Sequence, residues 1–342
     1  MNRLSVANLA GYIEATTRPL DRVRRLLLST IGAPMRQLVR SREIRVAVLG
    51  ACGITVVWFA ALLAPLWLLA VGPIVWGVPH LLADVRYLVV QPGLHRQLRL
   101  MAWAAPPLAF AALGAGVFAG LVTCAAVIVA AEASWKRTIQ AGLALTAIFF
   151  VAWYIGPSRD LAFAHLHNLV AIGFWWFWRP RARRLHYIPL ALVLIGSALI
   201  LGGALDGLVW TLGAVERSPA PQLVLGSFVG ELSGGLPAPW SIRLVLSFAF
   251  LQSVHYLIWL RMIPDEAQRR ETPRSYRHTM RTLATEIGPI SLAVIIAFAL
   301  GIALWGAVDL TNARRGYLRL ALFHGHLEIA AATWLWLRGG LR

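Results

Sequence analysis

Charge is scarce in this chain. Only 14% of its 342 residues are Asp, Glu, Lys or Arg, against about 25% in soluble globular domains, so an ordinary soluble enzyme is excluded. Lysine is almost missing. The sole lysine, Lys136, falls at a loop boundary rather than in mid-helix, which argues against a retinal-binding photoreceptor. The two cysteines, Cys52 and Cys124, both lie in apolar stretches and read as buried small hydrophobes. They say nothing about redox compartment. No zinc-finger, RNA-binding or helix-turn-helix pattern occurs, so the formal net charge of +17 is not read as a nucleic-acid footprint. The His-x-x-His-His cluster of classical fatty-acid desaturases and hydroxylases is also absent. No tandem repeat, low-complexity tail or cleavable signal is expected.

What the chain has instead is hydrocarbon. Hydrophobic residues make up 58% of it and the mean hydropathy is +0.67, as in a polytopic membrane protein with recurring runs of about 20 apolar residues. Ten apolar segments can be drawn: 46–63, 66–90, two within 100–133 parted near Gly114, 138–155, 161–178, 187–204, 242–262, 287–308 and 317–337. Basic residues follow every second one: Arg96 and Arg99, Lys136 and Arg137, then Arg179, Arg181, Arg183 and Arg184, then Arg269, Arg270, Arg274, Arg277 and Arg281, and finally Arg338 and Arg342. Arg314 and Arg315, after the ninth segment, are a mild exception. Cytoplasmic loops carry such an excess. The expected fold is therefore all-α: a polytopic transmembrane helix bundle of about ten spans with cytoplasmic N- and C-termini, set in a bacterial inner membrane. Residues 1–45, with Arg22, Arg24, Arg25, Arg36, Arg40, Arg42 and Arg45, read as a basic amphipathic arm on the cytoplasmic face. Residues 46–338 form the transmembrane domain. Residues 206–240 mix aromatic and acidic residues with a Gly/Pro-rich end and read as an outer-side amphipathic segment.

The histidines carry the functional signal. His80, His165, His167, His255, His324 and His326 lie inside apolar segments, whereas His95, His186 and His278 fall in Arg-rich connections. An ionisable ring at lipid depth is costly and marks function by default. All six belong to even-numbered segments. A rise of about 1.5 Å per residue puts them in the middle band of a roughly 30 Å hydrocarbon layer. Polar neighbours share their helical faces: Trp76, Asp84 and Tyr87 with His80, Gln252, Tyr256 and Trp259 with His255, Asn168 with His165, and Glu328 with His324. Residues two apart diverge by about 200° on a helix, so one ring of each His-x-His pair is expected to point elsewhere. Neutral imidazole suits Fe, Zn, Cu or Ni. Metal-bound rings usually donate their other N–H to a carboxylate or carbonyl, so Asp84 and Glu328 are either ligands or partners of ligands. Three or four His with open positions favour iron. The alternative for each single ring is a hydrogen bond to a neighbouring helix.

Gly77-Val78-Pro79-His80, with Asp84 following, resembles the G-x-P-H-G-x-x-D stretch of Brp/Blh-type carotenoid dioxygenases. Gln252-Ser253-Val254-His255-Tyr256 is loosely similar to a later histidine-bearing helix of that family. Leu81 stands where the family has glycine, and Val85 where a second histidine is often found. The resemblance implies a polytopic membrane enzyme that splits a carotenoid with dioxygen at histidine-bound iron. It implies His80 as an iron ligand with Asp84 as its supporting carboxylate, and His255 as a further ligand. The leading expectation is a membrane-embedded non-haem iron oxygenase acting on a lipophilic substrate. Its metal set is drawn from the six histidines. Asp84, Glu328 and Tyr256 take catalytic roles, and Trp76, Tyr87, Asn168, Gln252 and Trp259 line the substrate. Two other functions use the same residues: a transporter or channel with a His/Asp/Glu proton or metal path, and a membrane cytochrome holding haem between two histidines.

Overall fold

The computed structural model describes residues 3–30, 32–178, 184–268 and 270–339. Of the basic residues used above, Arg179, Arg181, Arg183, Arg269 and Arg342 lie outside them. Every regular element among the described residues is helical: α1 (Arg3–Thr30), α2 (Ala33–Arg40), α3 (Arg42–Leu63), α4 (Pro65–Asp84), α5 (Leu98–Phe110), α6 (Gly116–Ala130), α7 (Trp135–Ile155), α8 (Arg159–Phe177), α9 (Tyr187–Leu201), α10 (Asp206–Thr211), α11 (Leu225–Leu232), α12 (Trp240–Leu257), α13 (Ile263–Glu266), α14 (Tyr276–Ile287), α15 (Pro289–Val308) and α16 (Leu310–Arg338). Helices α4 and α12 run on through π-wound turns, Val85–Val90 and Ile258–Met262. In a bilayer each backbone polar group needs an internal partner, and helices provide it within one segment.

Among the described residues, seven helical stretches are long and apolar enough to cross a membrane: Arg42–Leu63, Pro65–Val90, Leu98–Ala130, Trp135–Phe177, Arg184–Leu201, Trp240–Glu266 and Pro289–Val308. Two of them bend at glycines in the left-handed region. Gly114 (φ 92°) and Gly116 (φ 67°) part α5 from α6, and α5 packs back along α6. Gly156 (φ 65°) parts α7 from α8. No side chain with a Cβ adopts such angles cheaply. Helix α16 is longer than most of the seven, but Arg314, Arg315, Arg319, Glu328 and its two histidines lower its hydropathy, and it is not among them.

Punctuation between helices is local chemistry. The Ser41 hydroxyl accepts the Ile44 N–H at 3.4 Å and caps α3. Pro65 opens α4, where a missing N–H costs nothing. Asp309 caps α16 through the Asn312 N–H at 3.0 Å. The hydrogen bonds from the Asn312 backbone and side chain hold the Asp309 carboxyl below its ordinary range.

The stretch 206–240 folds onto the bundle. Its helix α11 lies on α12 and buries Phe228 and Leu232. The N-terminal arm is also docked. Helix α1 packs on α14, and the Asp21 carboxylate accepts the N–H groups of Tyr276 at 2.8 Å and Arg277 at 3.1 Å. Three sequence assignments change. Arg42 and Arg45 are the buried first turn of α3 rather than part of a surface arm, because Asp265 and backbone carbonyls receive them. Cys52 is exposed on α3 while Cys124 is buried, since only the latter faces a neighbouring helix. Exposed Phe150, Trp153 and Tyr154 on α7 and Val294 and Leu304 on α15 give those helices an apolar outer surface. The central group is α4, α8, α12 and α16, with α3 and α9 backing α12.

Candidate metal centre

Each central helix presents one imidazole to the same point. Helix α4 supplies His80, α8 His167, α12 His255 and α16 His324. Ring centroids lie 4.9 Å apart for His80–His324, 5.5 Å for His80–His255 and 5.8 Å for His255–His324. His167 lies 5.3 Å from His255 and 5.1 Å from His324. One ligand nitrogen from each of His80, His255 and His324 can be chosen so that all three lie within 4.8 Å of one another. Nitrogens about 2.0–2.1 Å from one tetrahedral ion stand roughly 3.4 Å apart, so ligation would draw these three rings closer together.

Local sequence aims these rings. His80 follows Pro79, a helix-interior proline that withholds one backbone hydrogen bond. One turn earlier sits Gly77, where a Cβ would collide with the Tyr317 ring of α16. Bare backbone there lets α4 and α16 approach closely. The Nδ1–H of His167 donates to the Ala164 carbonyl at 2.8 Å, and that of His324 to the Ala321 carbonyl. A carbonyl only accepts, so Nδ1 carries the proton in both rings and Nε2 keeps its lone pair.

The carboxylates lie directly behind. Asp84 Oδ2 is 4.0 Å from His80 Nε2, one turn along α4. Glu328 Oε1 is 3.4 Å from His255 Nε2 and accepts the Trp259 indole N–H at 2.7 Å. Asp84 and Glu328 are fully buried, at 0% exposure. Both nitrogens of His80 and of His255, both oxygens of Asp84 and Oε2 of Glu328 are buried without a hydrogen-bond partner. Each unpaired buried polar group costs about 1–3 kcal/mol. Nitrogen donors beside two carboxyl groups, most of them without partners, form a donor set of the kind that suits a transition-metal ion.

No family model, curated protein or solved structure matches this chain.

A cavity of about 450 Å³ adjoins the centre, reaching His167, His255 and His324 on one side and Glu231 and Arg314 on the other. Asn168, Gln252 and Tyr256 line it. The Tyr256 ring lies 4.7 Å from His80. Trp259 is buried and orients Glu328 rather than lining the cavity. The other expected residues stand elsewhere. His165 gives Nε2 to the Leu232 carbonyl at 2.9 Å, which ties α8 to α11. His326 stacks on Phe163, centroids 4.4 Å apart. Each is the divergent member of its His-x-His pair. Trp76 is 52% exposed, because the buried face of α4 runs through Gly77, His80 and Asp84 and one 100° step carries Trp76 off it. Tyr87 lies beyond the start of the π-wound turn and packs on Trp178, its hydroxyl held by Arg86 at 3.2 Å. It does not line the cavity. Tyr317 was not anticipated: its buried hydroxyl has no partner and its ring borders the cavity. Its place seven residues before His324, on the same face of α16, is the sequence signal for it.

Proposed function

We propose that this protein is a membrane-embedded, histidine-ligated non-haem iron oxygenase acting on a lipophilic substrate such as a carotenoid or other isoprenoid. In this reading it crosses a bacterial inner membrane ten times and keeps both termini in the cytoplasm. The observation that carries it is the convergence of His80, His167, His255 and His324 from four helices, with unpartnered nitrogens and two buried carboxylates behind them. His80, His255 and His324 hold the ion, with His167 at the edge of the set. Glu328, fixed by Trp259, and Asp84 stand 3.4 Å and 4.0 Å from ring nitrogens of His255 and His80 and would orient those rings by closing to hydrogen-bond distance. Iron held by few protein ligands supplies dioxygen activation at its open positions.

The remaining residues bind and exclude. Leu69, Phe248 and Leu318 give the cavity apolar walls, while Gln252, Asn168 and Tyr256 offer it hydrogen-bonding groups. Similarity to the Brp/Blh-type stretch around His80 supports the substrate class. Four rings crowded at 4.9–5.8 Å leave no flat slot for a porphyrin, which favours a bare ion over haem. The test is metal analysis and an optical spectrum of detergent-purified protein, followed by product analysis with a carotenoid and dioxygen. Iron with oxidised product is expected. A Soret band supports the cytochrome instead, and ion flux in liposomes without oxidation supports the transporter. Iron-free protein overturns the proposal.

A further inference from the structure

Two cavities meet at one pair of aromatic rings. The first is the 450 Å³ cavity beside the histidines. The second, about 560 Å³, lies between α6, α7 and α16. Both are lined by Phe163 and His326. These two rings stack with planes only 6° apart. Phe163 also neighbours a histidine of the centre: its ring lies 6.0 Å from that of His167, at 27°. The Phe163 and His326 rings thus border both the second cavity and the one that reaches the histidines of the centre. Glycines give the stack its room. A Cβ on Gly120 would collide with the His326 ring, and one on Gly325 would press on Phe163 at 3.1 Å. The Asp160 carboxylate accepts the Val117 N–H at 2.8 Å and pins the start of α8 to α6, one turn before Phe163.

The second cavity selects hydrocarbon. Among the described residues no Asp, Glu, Lys or Arg lines it; apart from Gln140, Thr333 and His326 its walls are apolar, with Cys124, Leu145, Ile148 and Ile329 among them. Ile148 and Trp336 at its mouth are 50% and 47% exposed on the outside of the bundle, the side that meets acyl chains in a bilayer. Its size falls within the range of about 300–1,000 Å³ usual for small-molecule sites.

We infer that this groove lodges the uncharged hydrocarbon chain of a lipid-soluble ligand arriving from the bilayer, and that the Phe163–His326 stack is the shutter between that chain and the four-histidine centre. The identity of what lies past the shutter rests on the proposed function; the groove and its shutter do not. His326 then serves access rather than ligation.

The test uses the full chain in lipid nanodiscs with a long-chain alcohol carrying a mid-chain diazirine, irradiated and mapped by mass spectrometry. Residues around Cys124 and Leu145 are expected to be labelled several-fold above the plain outer surface at Leu194 and Ile195. Equal labelling means an ordinary lipid shell and overturns the site. In Phe163→Ala, adducts on Gln252 and Tyr256 should rise several-fold relative to those in the groove; an unchanged ratio overturns the shutter. Phe163→Leu, which keeps apolar bulk, provides the same readout if the alanine variant does not fold. Labelling needs no metal. Iron-free protein labelled in this pattern keeps the groove and loses the oxygenase, and iron-bound protein with an unlabelled groove does the reverse.

Discussion

Two of the buried polar clusters among the described residues are built on opposite principles. At the junction of α3 and α13, Asp265 accepts from Arg45 at 3.0 Å, Arg261 at 2.7 Å and Gln268 at 2.9 Å. The remaining nitrogens of Arg45 reach the carbonyls of Leu38, Val39 and Glu271. Every charged atom of Arg45 and Asp265 is answered by the protein itself. In the centre of α4, α8, α12 and α16 the reverse holds: the donors of His80 and His255 and both Asp84 oxygens lack partners. A cluster that satisfies itself holds helices together. A cluster of unpartnered ring nitrogens and carboxyl oxygens is one that a bound cation would satisfy under the proposed function.

That contrast breaks most sharply under substitution. Replacing His80 and His255 together with alanine is expected to abolish bound metal, read by elemental analysis, while circular dichroism stays that of the parent. Chelation should then lower the Tm of the parent and leave the double variant unchanged. Asp265→Ala should do the opposite. Metal content stays, and stability falls by about 3–5 kcal/mol because Arg45 is left buried and unpaired; detergent-solubilised unfolding curves measure it. Metal loss in the second variant, or collapse of the first, would erase the distinction. A finer cut is Glu328→Gln. The amide oxygen keeps the Trp259 hydrogen bond but the charge behind His255 is gone, and metal affinity should drop about 10–100-fold in a competition titration. Gly77→Ala pushes Tyr317 off α4 and should cost about 1–3 kcal/mol of stability, with a parallel loss of metal only if the close approach of α4 and α16 sets the aim of His80.

The smallest effect lies outside both clusters. The folded Asp309 carboxyl is held below its ordinary range by Asn312. Its contribution to stability is therefore present above the unfolded pKa, about 3.9, and is lost as pH falls through the lower folded value. The Tm difference between the parent and Asp309→Asn should narrow over that acid window; a gap that is constant with pH would remove the cap's charge from the account.

Much of the helix order is legible in the residues. Each of the ten apolar segments coincides with a helix, because twenty-residue apolar runs and intervening arginines are one-dimensional signals. The reversal at Gly114 is legible for the same reason: glycine interrupts a run that is otherwise hydrocarbon. The four helices of the centre are legible too, since each carries a histidine that lipid would reject. Which ring of each His-x-His pair turns inward is not. His167 and His324 do so, the second of one pair and the first of the other, and that choice is made by helix rotation against neighbours distant in sequence. The pairing of Trp259 with Glu328 spans 69 positions and leaves no local trace. Trp76 and Tyr87 show the limit of spacing rules: a glycine contact recentres one face and a π-wound turn re-aims the other.

The anchoring of His167 and His324 to carbonyls three residues back on their own helices has a kinetic meaning. Under the proposed function, neither ring could swap the nitrogen it offers without rupturing a bond inside a single rod, so both would stay cocked through loading and release. Emptying the pocket should therefore leave its geometry standing, ready for recharging without any refolding of the bundle.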